Sequence, residues 1–166
     1  MATDDSTEYD RWESRYRVPE YAFGTAPNYF LATCKALLPR AGKALAVADG
    51  EGRNGIWLAE QGLDVLSIDF SPSATASALP ERGRKWAGMR RALKPGGLLI
   101  IQGYTPKQLQ YGTGGPKQVE TLYTRAMLED AFGDLRDLTI VEEEREIHEG
   151  TSHGGMSAMI NLTARR

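Results

Sequence analysis

Ala44-Leu45-Ala46-Val47-Ala48-Asp49-Gly50-Glu51-Gly52-Arg53-Asn54 is the stretch on which the reading of this chain turns. Ala44 to Ala48 is an apolar run with no polar alternation, which predicts a strand buried on both faces, as in a parallel sheet. Gly50 and Gly52 carry no Cβ, so the backbone here can bend sharply and approach a ligand closely. Arg53 to Gln61 reads as a helix, and Gly62 is a fitting C-cap. The first turn of such a helix presents backbone N–H groups that have no acceptor within the helix.

Outward from this stretch, Val65 to Ile68 is a second apolar strand, and Asp69 follows it 17 positions beyond Gly52. Strand, glycine turn, helix, strand and acid make the layout of a nucleotide-cofactor site on a Rossmann-like sheet. A carboxylate at that strand end can accept both ribose hydroxyl protons, although an aspartate before Ser71-Pro72 also serves as an ordinary turn residue. Gly50, Gly52 and Gly55 formally match the Gly-x-Gly-x-x-Gly of nicotinamide enzymes, but Arg53-Asn54 is bulky where a pyrophosphate would approach.

Glu81 to Leu93 is a basic helix with Trp86, Met89 and Leu93 along one side, and Lys94-Pro95-Gly96-Gly97 stops it. Only 24 residues, 70 to 93, separate Asp69 from Lys94. A βαβ unit takes roughly 30 residues or more, so this span holds one helix and a connector. Leu98 to Ile101 is a third buried strand, followed by a loop over residues 103 to 118. Thr124 caps a helix through Phe132, ended by Gly133. Leu138 to Ile147 and Met156 to Thr163 read as an antiparallel pair joined by the loop His148 to Gly155. Upstream, a helix is expected from Tyr9 to Arg17, with Trp12 and Tyr16 at i, i+4. Thr25 is the expected N-cap, with Pro27 in the first turn, of a second helix whose apolar face is Phe30, Leu31, Cys34, Leu37 and Leu38. The architecture expected is a single α/β domain over residues 1–166, a Rossmann-like three-layer sandwich with a shortened, five-stranded sheet.

Composition sets the class. The chain has 166 residues, 41% hydrophobic and 25% charged, as in an ordinary globular domain. Its net charge of −2 gives no electrostatic reason to expect nucleic acid or an anionic membrane as partner. Cys34 is the one cysteine, so no internal disulfide forms, which fits a reducing compartment. With no signal-like N-terminus and no apolar run of spanning length, the expectation is a cytoplasmic protein. His148 and His153 flank a glycine-rich loop without the further ligands a metal needs, so no metal site is expected. Arg82, Arg84, Lys85, Arg90 and Arg91 read as a solvated basic face, and Glu142 to Glu146 as the exposed part of a strand.

Taken with Trp12-Glu13-Ser14-Arg15-Tyr16, Phe23-Gly24-Thr25-Ala26-Pro27-Asn28, Asp69-Phe70-Ser71-Pro72, Met89 to Gly97 and the Glu149-Gly150 to His153-Gly154 hairpin, the glycine turn gives the chain a family likeness. It resembles the class I S-adenosylmethionine-dependent methyltransferases, and among them the small bacterial enzymes of the tellurite-resistance and thiopurine-methyltransferase type. The resemblance covers nearly all of the chain from Asp10 on. It implies that Asp49, Gly50, Glu51, Gly52 and Asn54 wrap the methionine half of the cofactor, that Asp69 holds its ribose and that Phe70 packs near the adenine. Residues 1–40 become an N-terminal helical lid region. There Trp12, Arg15 and Tyr16 face the cofactor, and Arg15 is a partner for its carboxylate. Trp12 and Tyr16 fit equally well as a staple that docks the first helix. Tyr104, Tyr111 and His153 are the substrate-side candidates, with Glu149 beside His153; a solvated loop accounts for His153 equally simply. No catalytic base is legible.

The likeness has two departures. The family usually has an acid and a glycine where Ala46 and Ala48 stand, which leaves Asp49 as the available carboxylate. It also has two more strands before the Lys-Pro-Gly-Gly turn, strands that supply an adenine contact and part of the substrate pocket. The function expected is therefore S-adenosylmethionine-dependent methyl transfer to a small-molecule acceptor, at reduced activity. The alternatives are a non-catalytic S-adenosylmethionine-binding or interaction protein, and an NAD-dependent oxidoreductase. Loss of two central strands exposes the flank of the first, so a homodimer is expected, with the Leu98 strand closing directly against the Ala44 strand.

Overall fold

A computed structural model describes residues 23–50, 52–68, 79–149 and 153–166. The helix expected over Tyr9 to Arg17 lies outside them, as do Trp12, Arg15, Tyr16, Glu51, Asp69 and Phe70. The chain divides into two compact units, residues 1–77 with 149–152, and residues 78–148 with 153–166.

In the first unit, α1 (Tyr29–Thr33) is followed by a 3-10 turn at Cys34–Leu37. Its N-cap is Asn28, whose side-chain oxygen accepts from the Leu31 N–H at 3.2 Å. Sequence patterning placed the cap at Thr25; Pro27 delays the helix, and asparagine caps better than threonine. β1 (Gly42–Val47) runs parallel to β2 (Leu63–Ile68), with Leu45 opposite Leu66. Between them lies α2 (Arg53–Glu60). Gly62, at φ 95°, takes the left-handed conformation that ends it. Leu58 and Gly55 of α2, Ala46 of β1 and Leu63 of β2 are buried. Leu45 and Leu66 are 43% and 63% exposed.

The second unit is a sheet of order β3-β5-β4 with two helices. α3 (Leu79–Ala92) precedes β3 (Leu98–Tyr104). α4 (Arg125–Phe132) begins at Thr124, whose hydroxyl accepts from the Met127 N–H at 3.3 Å, as expected. β4 (Arg136–Glu149) and β5 (His153–Arg165) are both longer than the hydrophobic runs that announced them. β3 pairs antiparallel with β5, in a register that sets Gln102 opposite Asn161. Leu99, Ile101, Ile160, Leu162 and Ala164 of the sheet pack with Leu128 and Phe132 of α4. Trp86 and Met89 of α3, and Leu93 just after it, join this core, as their spacing predicts. Trp86 meets Tyr123 edge-on at 6.1 Å and Phe132 at 5.9 Å, favourable aromatic distances.

Among the described residues five strands form and the final pairing is antiparallel, as the sequence reading has it, but they do not make the single five-stranded sheet expected; the fold is Rossmann-like α/β. The direct pairing of the Leu98 strand with the Ala44 strand is not made. Among the described residues the strands form two hydrogen-bonded sheets, one of two strands and one of three. No helix among the described residues is long and apolar enough to cross a membrane.

Candidate cofactor turn and its supports

The turn between β1 and α2 bends the backbone three times in five residues: Ala48, Gly50 and Gly52 have φ of 57°, 54° and 87°. The left-handed region costs an alanine roughly 1–2 kcal/mol and a glycine nothing. Ala48 thus occupies, under strain, a position whose backbone asks for glycine. Among the described residues, a Cβ placed on Gly52 would meet only Ile56 Cδ1, at 3.8 Å.

Asp49 points the other way. It is 6% exposed, and its carboxylate accepts from the Asn54 N–H at 3.2 Å, the Gly55 N–H at 2.9 Å and the Ser67 hydroxyl at 2.7 Å. Two of the first-turn amides that the sequence leaves open are therefore filled by the chain's own acid. Asp49 caps α2 and ties it to β2. Gly55 makes this possible, since a Cβ there would collide with both Ser67 Oγ and Asp49 Oδ2. The third glycine of the pattern is a packing glycine.

Arg53 and Asn54 fasten the preceding segment to the same helical turn. The Asn28 N–H donates to Asn54 Oδ1 at 2.8 Å. The Arg53 guanidinium donates through Nη1 to the Phe23 carbonyl at 3.1 Å and to that of Ala26 at 3.5 Å. Through Nη2 it donates to Glu149 Oε2 at 2.7 Å, and it lies 5.7 Å from the Phe23 ring centroid. Local spacing assigns Arg53 only bulk at the turn, and it assigns no contact to Ser67 or Asn28. Their signal is contact across 18 to 96 residues, which no local spacing carries.

The substrate-side candidates fall in the second unit. Tyr104 ends β3, and its carbonyl accepts from the Tyr123 N–H at 2.7 Å. The Tyr111 hydroxyl donates to Glu144, which also accepts from Lys107 at 2.6 Å. The hydrogen bond to Glu144, then burial, raises the Tyr111 phenol above its ordinary value. Lys107, then Tyr111, hold the Glu144 carboxyl below its own. His153 is the first residue of β5. The loop before α4 is more ordered than its composition suggests. Buried Gln108 donates to Thr113 Oγ1 at 2.9 Å and the Gly114 carbonyl at 2.8 Å, and accepts from the Ala158 N–H at 2.8 Å. Glu143, expected on the exposed run, accepts from Asn161 Nδ2 at 2.6 Å, and Asn161 Oδ1 accepts from Gln102 at 2.8 Å. Among the described residues no cluster of three His, Cys, Asp or Glu could hold a metal ion.

No family model and no curated protein sequence matches this chain. Solved structures do. TehB from Haemophilus influenzae is similar over 96% of this chain and 67% of its own, with a TM-score of 0.61 at 15% identity. A structure for the conversion of a disulfide bond into a thioacetal group during echinomycin biosynthesis is similar over 85% of this chain and 83% of its own. Its TM-score is also 0.61, at 18% identity. At these identities the likeness is one of fold, and that fold is Rossmann-like.

Proposed function

We propose that the chain binds S-adenosylmethionine at the turn between β1 and α2 and transfers its methyl group, at reduced rate, to a small-molecule nucleophile. The observation that carries this reading is the turn itself. Two of its three left-handed residues, Gly50 and Gly52, carry no side chain, while Asp49 turns inward and stiffens the loop. The fold shared with TehB supports it. Gly50, Gly52 and Asn54, with Glu51, would border the methionine half of the cofactor, and Asp49 would serve by fixing the loop. Asp69 would take the ribose, Phe70 the adenine, and Trp12, Arg15 and Tyr16 the lid. When bound, the cofactor supplies a methyl group on a sulfonium that is already a good leaving group. The chain then has to orient the acceptor in line with that bond and exclude water. Tyr104, Tyr111 and His153 are the groups proposed on the acceptor side, with no dedicated base.

The separation of the strands into two sheets favours a second reading, a non-catalytic S-adenosylmethionine-binding protein. Fewer strand ends leave fewer loops to wall an acceptor and keep it aligned. An NAD-dependent oxidoreductase is disfavoured, because Asp49 occupies the Asn54 and Gly55 amides that a pyrophosphate would use. The exposed Leu45 and Leu66 support the homodimer, which light scattering at high concentration checks. Methyl transfer to small thiols, halide-like anions and oxyanions tests activity. Slow turnover beside measurable cofactor affinity supports the proposal; rapid multiple turnover contradicts the reduced rate, and none at all favours the non-catalytic reading.

A further inference from the structure

We infer that Arg53 is a positioning residue. Held by Glu149, it fixes residues 23–28 to the first turn of α2 and so sets the affinity of the turn for its ligand. The inference rests on the cofactor reading above for the identity of that ligand, and on geometry for the rest.

The Arg53 side chain is 14% exposed and that of Glu149 16%. The pair is thus shielded from the solvent screening that makes surface ion pairs weak. The guanidinium is planar with several donors in a fixed fork, so aiming Nη2 at Glu149 also determines where Nη1 lies. Nη1 meets the carbonyls of Phe23 and Ala26. Asn54, the next residue, accepts the Asn28 N–H. Asn28 in turn holds the Leu31 and Ala32 amides at the start of α1. Two adjacent side chains of α2 therefore fasten three backbone points across six residues. Both belong to the turn whose amides Asp49 caps. Without Glu149 the guanidinium would keep its charge in a half-buried site and lose the partner that orients it. The segment 23–28 and the first turn of α2 would then no longer be held in one arrangement.

The test compares the full chain with Arg53→Gln, Glu149→Gln, the double variant and Arg53→Lys. Calorimetric titration with S-adenosylmethionine should show each Gln variant weaker by about tenfold or more, and the double variant no weaker than the worse single one. Arg53→Lys keeps the charge without the fork, and should restore only part of the loss. Amide hydrogen exchange without ligand should be faster at Leu31 and Ala32 in both Gln variants. Unchanged exchange overturns the inference whether or not the wild type binds the cofactor. A lowered melting temperature with unchanged Kd and unchanged exchange would reduce the pair to a purely structural role, and also overturns it. If the wild type fails to bind, the cofactor reading falls and with it the claim on affinity. The exchange result then decides whether the Arg53–Glu149 latch stands.

Discussion

The two units solve opposite problems. The second carries a dense apolar core in which Phe132, Leu128, Ile160 and Leu162 are fully buried. The first has a two-stranded sheet with Leu45 and Leu66 largely exposed, yet it holds a buried carboxylate with three donors and a half-buried ion pair. Hydrophobic burial stabilises one; polar groups satisfied in a specific geometry define the other. Polar networks specify position more than they add stability, because most of their interaction energy offsets desolvation. The region with the weaker core is the one that presents the candidate turn.

If this contrast is right, the largest effect comes from the second unit. Phe132→Ala should destabilise by about 3–5 kcal/mol, whereas Leu66→Ala should stay within about 0.5 kcal/mol, both read by chemical denaturation. Equal losses would break the comparison. Next in size is Asp49→Asn. One carboxylate oxygen becomes an NH2 group facing the donors that held it, and the cost should be about 2–3 kcal/mol. A neutral outcome would mean the turn does not depend on its internal cap.

Ala48→Gly should act in the opposite direction. It relieves roughly 1–2 kcal/mol of left-handed strain and loses about 0.4–1 kcal/mol to the greater freedom of the unfolded chain, for a net gain of about 0.5 kcal/mol. A loss of stability would show that the Ala48 methyl group packs better than its backbone conformation implies.

The smallest effect is the pH response of the Lys107–Glu144–Tyr111 cluster. Glu144 has a lowered pKa, so its stabilising contribution is present above the ordinary carboxylate range and fades as pH falls through the folded value. Tyr111 has a raised pKa, so its contribution is full below the ordinary phenol value and fades as pH rises through the folded one. Comparing pH–stability curves of the wild type and Glu144→Gln should show both limbs slightly flattened in the variant. The groups are exposed, so a large difference would contradict the assignment.

Much of the fold is legible locally. The glycine at 62, the cap at Thr124 and the spacing of Trp86, Met89 and Leu93 each state their conformation within a few residues. The run Ala44 to Ala48 states a strand, but that strand ends at Val47, Ala48 turns left-handed, and Leu45 is exposed where burial on both faces is expected. The β3-β5-β4 order and the extension of β4 to Arg136 and Glu149 are not legible that way, since polar residues continue a strand once a partner fixes its register. The candidate turn was visible as glycines and an acid. What the acid does was not: the reach of Asp49 to Gly55 and Ser67 depends on β2 lying beside β1. Arg53 is the clearest loss, because its partners Phe23 and Glu149 are brought to it only by the fold.

The central claim is that the turn between β1 and α2 holds S-adenosylmethionine. Calorimetric titration of the purified chain with S-adenosylmethionine and, separately, with NADH tests it most directly. The account predicts saturable heat at micromolar S-adenosylmethionine and none with NADH. Binding of NADH alone, or no heat and no thermal shift with S-adenosylmethionine or its demethylated product, would contradict it.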